Sequence, residues 1–347
     1  MKKIKILIVE DSLFMAKLMR GVVSSIEGFE VCDIAKDGME GLEYIKKYNP
    51  DVVLSDQVMP KLDGIGMIKE IMKRSPKPVI IVSAYTKEGE DTTIKALEAG
   101  AVDFIAKPEK VFELGAGEFK EILESKIRIA AKTDLTKIKK YNIVHNEHNF
   151  NKKERLKKIV AIAISTGGPR SLQEVIPKLD PDIPAAFLIV QHMPAGFTKS
   201  LAERLDALSE IKVKEAEEGD VITKGVVYIA PGGYHMEVEK FGTDYKIVLN
   251  KKPPITGLRP AADIMYESIS KINTQDIVGV VMTGMGSDGT KGLKMIKEKN
   301  NAYIIGQDKD TSIVYGMPRA AAEAGIIDKV VPLDQMTETI TTIVGVL

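Results

Sequence analysis

Residues 161–169 read AIAISTGGP: an apolar run stops at Ser165, and a threonine, two glycines and a proline follow at once. Such a run bounded by glycine and proline is the signature of a buried strand that turns sharply into a helix. A serine at that turn stands at the carboxyl edge of a sheet, where the next helix directs backbone N–H groups toward it. Gly167 and Gly168 take away side chains that would block the approach of a substrate. The pattern suits attack by Ser165 on a carbonyl and equally suits phosphate binding by the same N–H groups.

Outward from this stretch the chain repeats one theme. From Lys158 on, IVAIAI, AAFLIVQ, VVYIA, IVGVVM and AYIIG read as buried strands, separated by helical segments such as FTKSLAERLDALS and TKGLKMIKEK. The segment YHMEVEKFGTDYKIVLN alternates apolar and polar residues around Gly242 and reads as an antiparallel hairpin attached to that sheet. Residues 158–347 are therefore expected to form an α/β domain with a mostly parallel, doubly wound sheet. Residues 1–125 carry five further strand and helix alternations, beginning IKILIV, FEVCDIA and DVVLSD, and predict a second doubly wound domain with a five-stranded parallel sheet. Between them, residues 126–157 read as a basic, Asn-rich linker: over 126–158 there are 11 Lys and Arg against 3 acids. His145 and His148 lie there without further ligands near them in sequence and read as exposed polar residues.

Composition narrows the function. Lys plus Arg and Asp plus Glu number 49 each, so no global field attracts nucleic acid or an anionic membrane. The basic linker has no aromatic residues interleaved at stacking intervals, and no basic recognition helix stands out in the second half, so nucleic acid is not the expected partner. No stretch approaches the ~20 apolar residues of a membrane span, so no membrane insertion is expected and the location is read as cytoplasmic. The single cysteine, Cys32, lies in an apolar strand and reads as core.

In the first domain, Glu10 and Asp11 follow strand one, Asp56 ends strand three, Ser83 ends strand four and Lys107 follows strand five. All converge on one sheet edge, where loops open a crevice. Three carboxylates repel one another unless a hard divalent cation such as Mg²⁺ gathers their oxygens, and Asp56 would then be nucleophile toward a phosphoryl group. Lys107 offers charge to a phosphoryl oxygen, and Ser83 offers a hydroxyl. VEDS at 9–12, Asp56 with MPKLDG at 59–64, Ser83-Ala84 and Lys107-Pro108 resemble the two-component receiver domain. That resemblance implies that a histidine kinase phosphorylates Asp56, with Mg²⁺ as cofactor.

The second domain supplies two more groups on the rim that carries Ser165. FLIVQHMP brings His192 to the end of the neighbouring strand, an imidazole able to take the hydroxyl proton near neutral pH. IVGVVM runs into TGMGSDGTKG, whose Asp288 can orient that imidazole, while the N–H of Met285 is a candidate oxyanion donor. A rival reading uses the same loop: GMGSDG satisfies G-x-G-x-x-G, and Asp308 follows the next strand, as a dinucleotide site requires.

ISTGGP, QHMP, YIAPGGYHM, LRPAAD and TGMGSDG together resemble the catalytic domain of the chemotaxis protein-glutamate methylesterases, which carry a receiver in front. The resemblance implies hydrolysis of γ-glutamyl methyl esters on chemoreceptor helices, with deamidation of particular glutamines. It implies Ser165 as nucleophile, His192 as general base and acid, Asp288 as orienting carboxylate, and Met285 and Thr166 at the oxyanion. His235 takes a supporting or substrate-contact role, and ester hydrolysis needs no cofactor. Phosphate on Asp56 would act through Ser83 and the face near Phe104, uncovering the active site for the receptor. The chain departs from the family in one place, with Ala163-Ile164 before the serine where Gly-Ala is usual. The alternative is a response regulator whose second half binds a dinucleotide or a partner.

Overall fold

The computed structural model describes residues 3–84, 86–107, 117–135, 156–272 and 276–346. Internal contacts divide the chain into two compact units, Met1–Ile138 and Lys139–Leu347.

The first unit alternates β1 (Ile4–Val9), α1 (Leu13–Ser24), β2 (Phe29–Ala35), α2 (Gly38–Tyr48), β3 (Val52–Asp56), α3 (Gly64–Arg74), β4 (Val79–Ser83), α4 (Lys87–Ala99), β5 (Asp103–Ala106) and α5 (Gly117–Ala130). Its five strands are parallel in the order β2-β1-β3-β4-β5. Four helices begin where the sequence provides a capping oxygen: Ser12, Asp37, Asp63 and Thr86 each accept from a backbone N–H of the first turn. Because α5 runs to Ala130 and Lys126 pairs with Asp103 at 2.7 Å, the residues from 126 belong to this unit, and the connector starts later than its basic composition suggests. His145 and His148 lie outside the described residues.

The second unit comprises β6 (Lys158–Ile164), α6 (Gly168–Val175), β7 (Ala185–Gln191), α7 (Phe197–Leu208), β8 (Lys212–Glu215), β9 (Val226–Ile229), β10 (His235–Phe241), β11 (Asp244–Asn250), α8 (Ala262–Ile269), β12 (Ile277–Val281), α9 (Thr290–Asn300), β13 (Tyr303–Gln307), α10 (Met317–Glu323), β14 (Lys329–Val331) and α11 (Met336–Val346). Seven strands form one sheet in the order β14-β13-β12-β6-β7-β9-β8, every neighbouring pair parallel. All seven residues of β6 and of β7 are buried, as a parallel strand covered on both faces requires. Each fully buried Ile or Val there stabilises the fold by ~1.5–3 kcal/mol. The hairpin β10–β11 is a separate two-stranded antiparallel sheet, turned by Gly242 at φ +63 and touching other backbone through a bridge from Lys246 to Val221. Two edge strands, KVKE at β8 and KVV at β14, complete the sheet. Among the described residues, no helix is long and apolar enough to cross a membrane.

Both sheets reverse their winding at a definite place. In the first, β1 and β3 are neighbours from opposite directions of growth; in the second, β6 and β12 are. Crevices open beyond the carboxyl ends of strands at such points.

Candidate active site and phosphoacceptor pocket

Ser165 is the first residue beyond β6, half-buried, at the reversal point of the second sheet. Its N–H donates to Thr283 O at 3.0 Å, and His192 N donates to Ile164 O at 3.1 Å, so the chains leaving β6, β7 and β12 are tied together at the serine. The β12 loop comes this close because residue 284 is glycine: a Cβ there would lie 2.8 Å from Ser165 Cβ and 2.4 Å from Met317 Sδ.

His192 Nε2 lies 2.7 Å from Asp288 Oδ2, with the two side chains only 7% and 6% exposed. The carboxylate is also anchored at the amino end of α8: Ala262 N donates to Oδ2 at 2.6 Å and Asp263 N to Oδ1 at 3.0 Å. Burial by itself would raise the Asp288 pKa, but His192 and these two N–H donors outweigh it and hold the group below its ordinary range. An ionised acceptor keeps the proton of neutral His192 on Nε2 and leaves Nδ1 as the basic nitrogen. The ring's side-chain bond is to Asp288; none joins it to Ser165 Oγ among the described residues.

Gln191, read from the sequence only as the end of a strand, ties the backbones at 165 and 192 together. It is 2% exposed, and its Nε2 donates to Ser165 O at 3.1 Å and His192 O at 3.3 Å. Its amide explains a glycine: a Cβ on Gly168 would fall 1.9 Å from Gln191 Oε1. Gly167, at φ +79, would place a Cβ 2.8 Å from Ile313 Cβ. The glycine pair therefore makes room for Gln191 and Ile313. Ala163 and Ile164, the departure before the serine, are both wholly buried in β6.

The remaining expectations sort by burial. Thr166 is buried, and its carbonyl accepts from Thr283 Oγ1 at 2.9 Å; Met285 is 48% exposed on the β12 loop. His235 has no exposure at all, and its two ring nitrogens are engaged by Ala261 N and Pro253 O, each at 3.2 Å. A substrate-contact role for His235 is thereby excluded. Against the dinucleotide reading, Asp308 Oδ1 accepts from Thr311 N at 2.9 Å and Thr311 Oγ1 at 2.5 Å inside its own loop, and Asp288 is committed to His192 and α8.

In the first unit, ligand oxygens of Glu10, Asp11 and Asp56 lie within 4.8 Å of one another, a donor set suited to a hard divalent cation. Lys107 Nζ reaches Asp56 Oδ2 at 2.7 Å and Glu10 Oε2 at 3.1 Å. Burial and the neighbouring Asp56 push the Glu10 pKa up to about 7 against the pull of Lys107. Burial works against the Lys107 charge, yet its bonds to the two carboxylates raise its pKa overall. Ser83 is fully buried, 2.9 Å from Thr93 Oγ1, which in turn receives Gln57 Nε2; Gln57 N donates to Asp56 Oδ1 at 2.7 Å. Phe104 is 4% exposed in β5, with Lys126 Nζ 5.6 Å from its ring centre.

Comparison with known proteins gives a consistent answer. Residues 160–340 match the model of the CheB methylesterase family, and residues 6–116 match the response regulator receiver domain. A protein-glutamate methylesterase/protein-glutamine glutaminase of Pyrococcus horikoshii is 47% identical over 351 residues, spanning 100% of this chain and 95% of that protein. The protein of the same description from Geobacillus kaustophilus is 44% identical, spanning 99% of this chain and 100% of its own. Among solved structures, the Thermotoga maritima CheB methylesterase catalytic domain matches 55% of this chain and 98% of its own at 43% identity, with a TM-score of 0.52.

Proposed function

Because the chain belongs to the CheB methylesterase family and carries a receiver domain ahead of it, we propose that it is a phosphorylation-regulated protein-glutamate methylesterase and protein-glutamine glutaminase. Its substrates are methylated glutamates and particular glutamines on the cytoplasmic helices of chemoreceptors, and its phosphate comes from a chemotaxis histidine kinase. The cytoplasm is its place of action, and its two working parts are the receiver, from residue 1 through the end of α5 at Ala130, and the esterase, residues 158–347.

Ser165 Oγ attacks the γ-carbonyl carbon of the glutamyl ester while His192 Nδ1 takes the hydroxyl proton. The carbonyl electron pair moves to oxygen, where the N–H groups of Thr166 and Met285 receive it. As the carbonyl re-forms, the C–O bond to methoxide breaks, and His192 returns the proton to give methanol and an acyl-serine. Water, deprotonated by His192, then releases the glutamate carboxylate and restores Ser165. With glutamine, ammonia leaves in place of methanol. Asp288 does not take the proton; it orients the ring and stabilises the imidazolium. No cofactor enters these steps.

In the receiver, Asp56 accepts the phosphoryl group, Lys107 binds one of its oxygens, and Ser83 turns from Thr93 toward another. Glu10, Asp11 and Asp56 would hold Mg²⁺, which when bound neutralises charge on the transferring phosphoryl group. Rearrangement around Ser83 and Phe104 then admits the receptor to the esterase.

The observation that carries this reading is the 2.7 Å pairing of His192 with an anchored Asp288 beside Ser165. Methanol release from methylated receptor membranes tests it: activity is expected from the wild type, greater with acetyl phosphate, and none from Ser165→Ala. Equal release by both proteins would refute the serine mechanism.

A further inference from the structure

We infer that His235 is a positioning residue of the esterase, acting through the amino end of α8 on Asp288. The inference rests on the esterase reading of Ser165, His192 and Asp288, and it assigns work to a buried imidazole that the hydrolytic steps leave idle.

The chain of contacts is short. His235 opens β10 with no solvent exposure. Its Nδ1 accepts from Ala261 N at 3.2 Å, so the ring must be neutral with its proton on Nε2, and Nε2 donates to Pro253 O at 3.2 Å. Residues 262 and 263, immediately after the N–H that His235 holds, are the two donors on the Asp288 carboxylate. Gly233 N donates to Arg259 O at 3.0 Å, so the 232–235 loop grips the 259–261 segment at two points. The same loop reaches the other side of the site: Gly232 N donates to the buried Thr198 Oγ1 at 2.9 Å, and a Cβ on Gly232 would lie 2.3 Å from Ala195 N, in the chain beyond His192. One loop therefore bears on both the segment that carries His192 and the helix end that aims Asp288.

Loss of the imidazole frees Ala261 N and lets the two α8 donors drift, so the bond from His192 to Asp288 loses its fixed geometry. A displacement of ~1 Å in such a constellation lowers turnover by up to about 10²-fold without touching substrate binding. Leucine at 235 keeps most of the volume and removes both bonds; glutamine keeps one acceptor and one donor.

The test uses the full-length protein in three forms: wild type, His235→Leu and His235→Gln. For His235→Leu the expected result is a fall in kcat of roughly tenfold or more, with KM unchanged within about twofold. His235→Gln should restore most of the turnover. The low-field proton resonance of the His192 to Asp288 bond, identified by its absence from Asp288→Ala, should shift or broaden in His235→Leu and return in His235→Gln. Folded His235→Leu with wild-type kcat and an unmoved resonance overturns the inference. Should His235→Leu fail to fold, the imidazole ¹⁵N shifts of the wild type decide it: a neutral ring protonated on Nε2 at pH 7.5 supports it, and an imidazolium or an Nδ1–H tautomer overturns it. If the wild type releases no methanol, the esterase reading fails, whereas the resonance still reports whether residue 235 governs the 192 to 288 pair.

Discussion

Asp288 Oδ2 receives two donors at once, His192 Nε2 at 2.7 Å and Ala262 N at 2.6 Å, so the carboxylate that holds the imidazole is itself held by a helix end. Asparagine at 288 keeps the size but offers an N–H where the imidazole needs an acceptor, which favours the wrong tautomer. Asp288→Asn is expected to reduce kcat by about 10³–10⁴-fold with little change in KM, as the corresponding change does in serine proteases. Steady-state methanol release checks this; turnover within tenfold of wild type would remove Asp288 from the mechanism.

Gly168 and Gln191 form a coupled pair. A Cβ at 168 would meet Gln191 Oε1 at 1.9 Å, so Gly168→Ala must either displace the amide or strain the turn. Overpacking of this kind destabilises by ~1–3 kcal/mol. The amide also holds the Ser165 and His192 carbonyls, so activity should fall together with stability. Gln191→Ala in the Gly168→Ala background should recover stability but not turnover. A double-mutant cycle on urea unfolding and kcat measures both; additive effects would show that the pair is not coupled.

The receiver makes a prediction that separates switch from chemistry. Lys107→Ala leaves Asp56 and Glu10 without the cation that bridges them at 2.7 and 3.1 Å. Acetyl phosphate should then no longer stimulate methanol release, while the unstimulated rate stays near wild type. Asp56→Asn should behave alike and take up no phosphate. Stimulation that survives in Asp56→Asn would mean that another residue is the acceptor.

His235 gives the stability a pH dependence of known sign. Burial lowers its pKa below the ordinary value of 6.5 against the bond to the Pro253 carbonyl, with Arg259 lowering it further and Glu237 and Asp288 opposing. The unfolded chain thus binds a proton more readily than the folded one. The stabilisation is complete above the unfolded pKa and declines as pH falls below about 6.5 toward the depressed folded value. Urea denaturation between pH 7.5 and 5.5 should show this decline in the wild type and a flatter profile in His235→Gln; parallel profiles would contradict it.

The placement of Ser165, His192 and Asp56 at strand ends was legible because each follows or ends a run of apolar residues, and strand ends meet on one edge by the logic of parallel sheets. Asp288 was legible as a partner but its anchor was not: Ala262 and Asp263 act through backbone N–H groups, which every residue but proline has. Gln191 escaped because its role depends on a contact with a glycine 23 positions earlier. The edge strands Lys212–Glu215 and Lys329–Val331 are too short and too charged to show an apolar period. Alternation in Tyr234–Asn250 disclosed the hairpin, yet nothing local could tell that it pairs only with itself apart from a bridge.

The change of direction between β6 and β12 divides the mouth of the esterase into two jaws. One is built from the loops after β7 and β9, the other from the loops after β12 and β13, and they meet at a serine that belongs to neither. Because His192 on one side is bonded to Asp288 on the other, a change in either jaw is felt across the seam between them.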